Sequence, residues 1–180
     1  YGIVFHSNGN LYGTDSRPNG GFGEIATGCG PGQQIPDKYP SDKLNLIKEN
    51  NWYGHPNHKR AQDDPKQGVW NGSGHTKPLM VLQSSTGAII VFASDHFNVQ
   101  IRGNLIYAKF GLGIYLIILD PTGNLAPGIK APIPIGGDTT LGLTQAPNGV
   151  LIDARFQPNE CHYYEPQEPT SSGLAIQSVF

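Results

Sequence analysis

Two histidines three residues apart, His55 and His58, lie in the segment NNWYGHPNHKR beside Lys59 and Arg60. That spacing can hold zinc on a helix, but Pro56 opposes a helix here. A histidine in such a polar segment can also act as the base that takes a hydroxyl proton during oxidation of a sugar. His55 is the candidate for that role, with a turn hydrogen bond as the structural alternative. His96, in ASDHFNVQIRGN, is a second candidate base, because it follows a strand and sits among Asp95, Asn98 and Arg102. His6 falls inside a hairpin and reads as structural.

Three large aromatic residues surround the first histidine pair. Trp52, Tyr53 and Trp70 could stack on sugar faces, with Asn51 and Asn57 contacting hydroxyls; alternatively they cover the open end of a sheet core. The loop Asp15-Ser16-Arg17-Pro18-Asn19 offers hard oxygen donors of the kind calcium accepts, without the spacing of an EF-hand. Asp37, Asp42, Asp63 and Asp64 are further carboxylates that could serve a cation or simply be solvated charge. GCGPG at 28–32 is not followed by a helical pattern, so neither a dinucleotide fold nor a P-loop is supported. No G-x-S-x-G elbow is present, and neither Cys29 nor Cys161 has a sequence signal that activates it.

The elements that must position these groups are short strands. The opening YGIVFHSNGNLYGTDSRPN pairs two apolar runs across Asn8-Gly9, whose residues tolerate positive φ. The same pattern returns in register as LGLTQAPNGVLIDARFQPN, from Leu141 to Asn159, which suggests one supersecondary unit used twice. Between them lie KLNLI, Leu79–Gln83, Ala88–Ala93, Asn104–Lys109 and Tyr115–Leu119, the last reading as a strand buried between sheets. Pro132 and Pro134 confine 129–135 to an edge or crossover. Cys161–Tyr164 and Leu174–Phe180 add two more strands. Roughly eleven short strands are expected, in groups near 1–50, 76–128 and 139–180.

Composition agrees. Of 180 residues, 24 are glycine and 15 proline, while only 14% are charged, which suits an all-β protein with many tight turns. A formal net charge of -2 without a basic block gives nucleic acid no electrostatic attraction. No apolar run approaches the length of a membrane helix, so membrane insertion is not expected. Asn71-Gly72-Ser73 is a glycosylation acceptor pattern, meaningful in a secreted eukaryotic chain, and the expected location is secreted or extracytoplasmic. Whether Cys29 and Cys161 pair stays open.

The stretches YGIVFHSNGNLYGTDSRPN, SDKLNLIKENNWYGHPN, FASDHFNVQIRGNLIYAKF and TQAPNGVLIDARFQPNECHYY together resemble the glucose/sorbosone dehydrogenase family of six-bladed β-propellers. The resemblance implies a partial propeller of about three or four blades, akin to the C-terminal half of the family fold; a β-sandwich is the alternative architecture. It implies pyrroloquinoline quinone (PQQ) and Ca²⁺ as cofactors, with the backbone carbonyls of Arg17 and Pro18 at the calcium and Asn51, Trp52 and Tyr53 near the quinone. Implied partners are a sugar or glycan and a second chain that completes the propeller. The implied function is PQQ-dependent oxidation of aldose hydroxyls, with this chain forming part of the catalytic propeller. The alternative is a non-catalytic carbohydrate-binding or interaction protein on the same scaffold.

Overall fold

The structure is a computed structural model and describes residues 2–16, 41–53, 76–83, 85–95, 97, 101–138, 140–166 and 176–179. Among them are twelve strands in three four-stranded antiparallel sheets, each ordered as its strands follow in the chain. The first sheet is β1 (Ile3–Phe5), β2 (Leu11–Asp15), β3 (Ser41–Ile47) and β4 (Met80–Gln83). The second is β5 (Thr86–Val91), β6 (Leu105–Lys109), β7 (Gly113–Ile117) and β8 (Ile133–Gly136), and the third is β9 (Thr140–Gln145), β10 (Leu151–Arg155), β11 (Cys161–Pro166) and β12 (Ile176–Val179).

Local chemistry sets the hairpins. The amide of His6 donates to Asn10 O, and that of Gly9 donates back to His6 O. Ala146, Gly149 and Val150 repeat this closure in the third sheet, and Gly9 and Gly149 take φ of 87° and 93°. The opening repeat is therefore one structural unit used twice. A third copy escapes the sequence reading. In the second sheet Phe92 bonds to Asn104 and Gly103 back to Phe92, closing the same hairpin around a longer connection. Arg102-Gly103-Asn104-Leu105 is its remnant of the Asn-Gly signal.

The three copies fix an equivalence. β2, β6 and β10 are each five residues long, each begins with leucine, and they end in Asp15, Lys109 and Arg155. Because side chains alternate along a strand, every second residue faces the preceding sheet and the others face the following one. In β6, Leu105 and Tyr107 join Tyr12, Leu44 and Leu82 of the first sheet, whereas Ile106 and Ala108 join Leu143, Leu151 and Tyr164 of the third. β6 is buried along its whole length because it is covered on both faces. That also explains the apolar run in β7, as expected.

The first strands of the sheets, β1, β5 and β9, pack side by side. Glycine permits this. A Cβ on Gly2 would stand 2.7 Å from the backbone N of Ile89. Polar bonds complete the joint: Thr14 Oγ1 donates to Gly87 O at 2.9 Å, and Ser16 Oγ to Thr86 O at 3.2 Å.

Some expectations change. Met80–Gln83, grouped from sequence with the strands that follow it, hydrogen-bonds to β3 and completes the first sheet. β5, expected over Ala88–Ala93, opens at Thr86. Asp42, read as a possible calcium ligand or solvated charge, is buried, and its Oδ2 accepts bonds from the amide and hydroxyl of Thr86 at 2.6 and 2.9 Å. The proline-bearing β8 is an edge strand, as Pro134 requires. These sheets form an all-β fold resembling parts of a propeller.

Candidate functional site

The strands present two ends. One carries the tight hairpins; the other carries Asp15, Lys109 and Arg155, the last residues of the three second strands. Each is followed by a residue at the same structural position, Ser16, Phe110 and Phe156. Phe110 and Phe156 meet across the second and third sheets with ring centroids 5.7 Å apart, edge to face, and each remains about half exposed. Leu112 and Leu141 are also exposed. Leaving these apolar groups in water is unfavourable, which marks this end as a surface with a flat, hydrophobic element.

The charged groups beside the rings are held in place. Arg155 reaches exposed Asp138 through Nη1 at 2.9 Å, buried Asp153 through Nε at 3.3 Å and Tyr164 Oη through Nη2 at 3.2 Å. Burial opposes its charge, but the Tyr164 hydroxyl and the two carboxylates outweigh that cost and hold the guanidinium above its usual range. Tyr164 donates to Asp153 Oδ2 at 3.0 Å, as does Thr140 Oγ1, also at 3.0 Å. Burial keeps the Tyr164 phenol protonated beyond its ordinary range.

Lys109, at the equivalent position in the second sheet, is buried and donates to Gln83 Oε1, with its ammonium 5.9 Å from the Tyr115 ring centre. Burial pushes this lysine down, and the carboxylate of Asp42 opposes the shift. This end thus carries an exposed aromatic pair between the second and third sheets and two held cations, Arg155 facing the second sheet and Lys109 facing the first. Arg155 meets a solvent-facing carboxylate, Asp138, which an anion could displace. The exposed rings offer a flat apolar contact surface at this end.

Tyr53 lies elsewhere. Its hydroxyl donates to Leu46 O at 2.7 Å and accepts from the Lys48 amide at 2.8 Å, which pins it to the end of β3. β3 runs antiparallel to β2, so residues following Ile47 emerge at the hairpin end while Asp15 and Ser16 lie at the other. Asn51 is exposed and Trp52 and Tyr53 are half-buried there, away from the phenylalanine pair. Tyr53 and Asp15 thus stand at opposite ends of the first sheet. Arg17, Pro18, Cys29, His55, Asn57, Trp70 and His96 lie outside the described residues, as do Asp37, Asp63 and Asp64. His6 is structural: its Nδ1 accepts from the Asn8 amide, and its Nε2 lies 2.7 Å from Gly103 O, linking two hairpins.

The hairpin end has a cleft of its own. Asp95 and Arg102, paired at 2.9 Å and both well exposed, line it together with Ser94, Gln145 and Pro147. Gln145 Oε1 accepts from the Ala93 amide at 2.9 Å and ties the two hairpins together. The pair is solvated and screened, so it adds little binding energy. Among the described residues no group of three or more His, Cys, Asp or Glu side chains could hold a metal ion, and no helix is long and apolar enough to cross a membrane. Cys161 is exposed on β11.

Solved structures share this fold. An oxidoreductase described as a glucose dehydrogenase from Thermus thermophilus is 19% identical, with a TM-score of 0.50, over 89% of this chain and 42% of its own. Two further structures described as glucose dehydrogenases are 13% and 15% identical, with TM-scores of 0.53 and 0.56. They match 84% and 89% of this chain, and 39% and 42% of their own lengths. The likeness is one of fold, and this chain spans about two-fifths of each of these structures. No family model matches the chain, and no curated protein matches it.

Proposed function

We propose that this chain is part of a glucose dehydrogenase-like oxidoreductase that oxidises hydroxyls of aldoses or related sugars, with further sheets completing the catalytic propeller. The observation that carries this reading is the exposed Phe110–Phe156 pair at the strand end that also carries Arg155 and Lys109, on a fold shared with glucose dehydrogenases. The proposed cofactors are PQQ and calcium. When bound, the quinone would supply a hydride acceptor for the sugar carbon, and calcium would supply its polarisation.

In this reading the described residues would meet the flat, anionic quinone at this end: an exposed phenylalanine face would stack on it, and Arg155 would exchange Asp138 for a carboxylate of the ligand. They do not supply a calcium set, and that part of the proposal falls to the carbonyls of Arg17 and Pro18. The protein's own work is to orient the ligand and fix the field around it. Asp153 and Tyr164 keep Arg155 in one rotamer, and Gln83 does the same for Lys109, so little reorganisation is needed on binding.

A titration of the chain with PQQ in the presence of calcium, followed by aldose-dependent dye reduction, tests the reading. Saturable binding weakened by Phe156→Ala, together with sugar-dependent reduction, is expected. Absence of quinone binding at saturating quinone and calcium overturns it.

A further inference from the structure

Ser85 lies in the connection between β4 and β5, at the joint of the first and second sheets. Its backbone takes φ of 72°, a left-handed conformation open to glycine but costly for a residue with a Cβ. The connection from β8 to β9, at the next joint, places glycine in this conformation, with Gly137 at φ 74°. Asn50 is the other described non-glycine residue with positive φ, and asparagine is a type whose short amide tolerates it. Ser85 has no such support. It is exposed, and among the described residues its hydroxyl meets no partner.

The strained residue is bonded directly to the strand-end site. Ser85 O accepts from the Phe110 amide at 2.9 Å, which continues the β5–β6 ladder beyond the Thr86–Lys109 pair. On either side, Gln83 Oε1 accepts from Lys109 Nζ, and Thr86 donates twice to Asp42. The connection is therefore held at both ends while a free hydroxyl is presented next to the residue that carries the exposed ring. Strain of this kind persists where the surroundings over-determine it, and it gathers at ligand-binding positions. We propose that Ser85 is a ligand-binding residue of this end, its hydroxyl donating to an oxygen of the quinone that meets Phe110. The proposal rests on the quinone reading of the site and adds a polar contact to it.

Two substitutions separate the hydroxyl from the backbone. Ser85→Ala keeps the Cβ and its strain but removes the hydroxyl, whereas Ser85→Gly removes both. Ser85→Gly should raise the urea midpoint with an unchanged slope, and Ser85→Ala should leave the midpoint where it is. Both should weaken binding of PQQ in the presence of calcium by about two- to tenfold, the loss of one neutral hydrogen bond. A serine with only a structural role cannot give that pattern, since its replacement would move stability and leave affinity alone. Affinity unchanged in both variants overturns the proposal and leaves the quinone reading standing. A Ser85→Gly chain no more stable than the unmodified one also overturns it, because the conformation would then carry no cost. No binding by the unmodified chain overturns the quinone reading and this proposal together.

Discussion

The Tyr164 hydroxyl donates to buried Asp153 at 3.0 Å and accepts from Arg155 at 3.2 Å, so one phenol of β11 joins a carboxylate and a cation of the adjacent β10. Removing it leaves Asp153 with one donor fewer in a site without solvent. Tyr164→Phe should cost about 1–3 kcal/mol, read as a lower urea midpoint with an unchanged slope. An unchanged midpoint would show that the network contributes nothing net.

The same tyrosine and Tyr107 give a pH dependence. Burial is the leading cause that raises both phenols above their ordinary value of 10.0. A pKa raised on folding means that the folded state holds its proton more tightly. Their contribution is therefore complete below the unfolded value, and stability falls as pH rises above about 10. Urea unfolding from pH 8 upwards, about two units either side of that value, should show this decline. The double variant Tyr107→Phe, Tyr164→Phe should flatten it.

Gly2 and Gly142 occupy the same place in the repeat but not the same surroundings. A Cβ on Gly2 would meet the Ile89 backbone at 2.7 Å, whereas one on Gly142 would touch Ala154 Cβ at an ordinary 3.5 Å. Gly2→Ala should destabilise by about 1–3 kcal/mol through forced separation of β1 and β5. Gly142→Ala should be neutral, or stabilising by up to about 1 kcal/mol. Thermal denaturation of the two variants side by side decides it, and equal effects would contradict the close approach.

Phe110 and Phe156 are half exposed, so their loss should affect binding more than folding. Phe156→Ala should weaken binding of a planar quinone by about 1 kcal/mol, roughly fivefold, while the melting temperature changes little. A large loss of stability with unchanged affinity would assign the pair to packing alone.

Asn8-Gly9 and Asn148-Gly149 signal their hairpins locally, because each turn needs positive φ at its glycine, 87° at Gly9 and 93° at Gly149. The all-β class, the edge position of β8 and the structural role of His6 were legible for similarly local reasons. Other features depend on which sheet packs against which. Asp42 looks like a surface carboxylate in sequence, yet the start of β5 folds over it and supplies two donors. Tyr53 reads as part of a mouth, but antiparallel pairing sends it to the opposite end from Asp15. Phe110 and Phe156 have no common sequence signal, since a long connection hides the third hairpin copy and the rings meet only where two sheets adjoin. Sequence by itself determined the turns and strands, whose energetics lie within a few residues. The meeting of Phe110 with Phe156 and the seating of Lys109 on Gln83 were decided by tertiary packing, because they depend on contacts between strands distant in the chain.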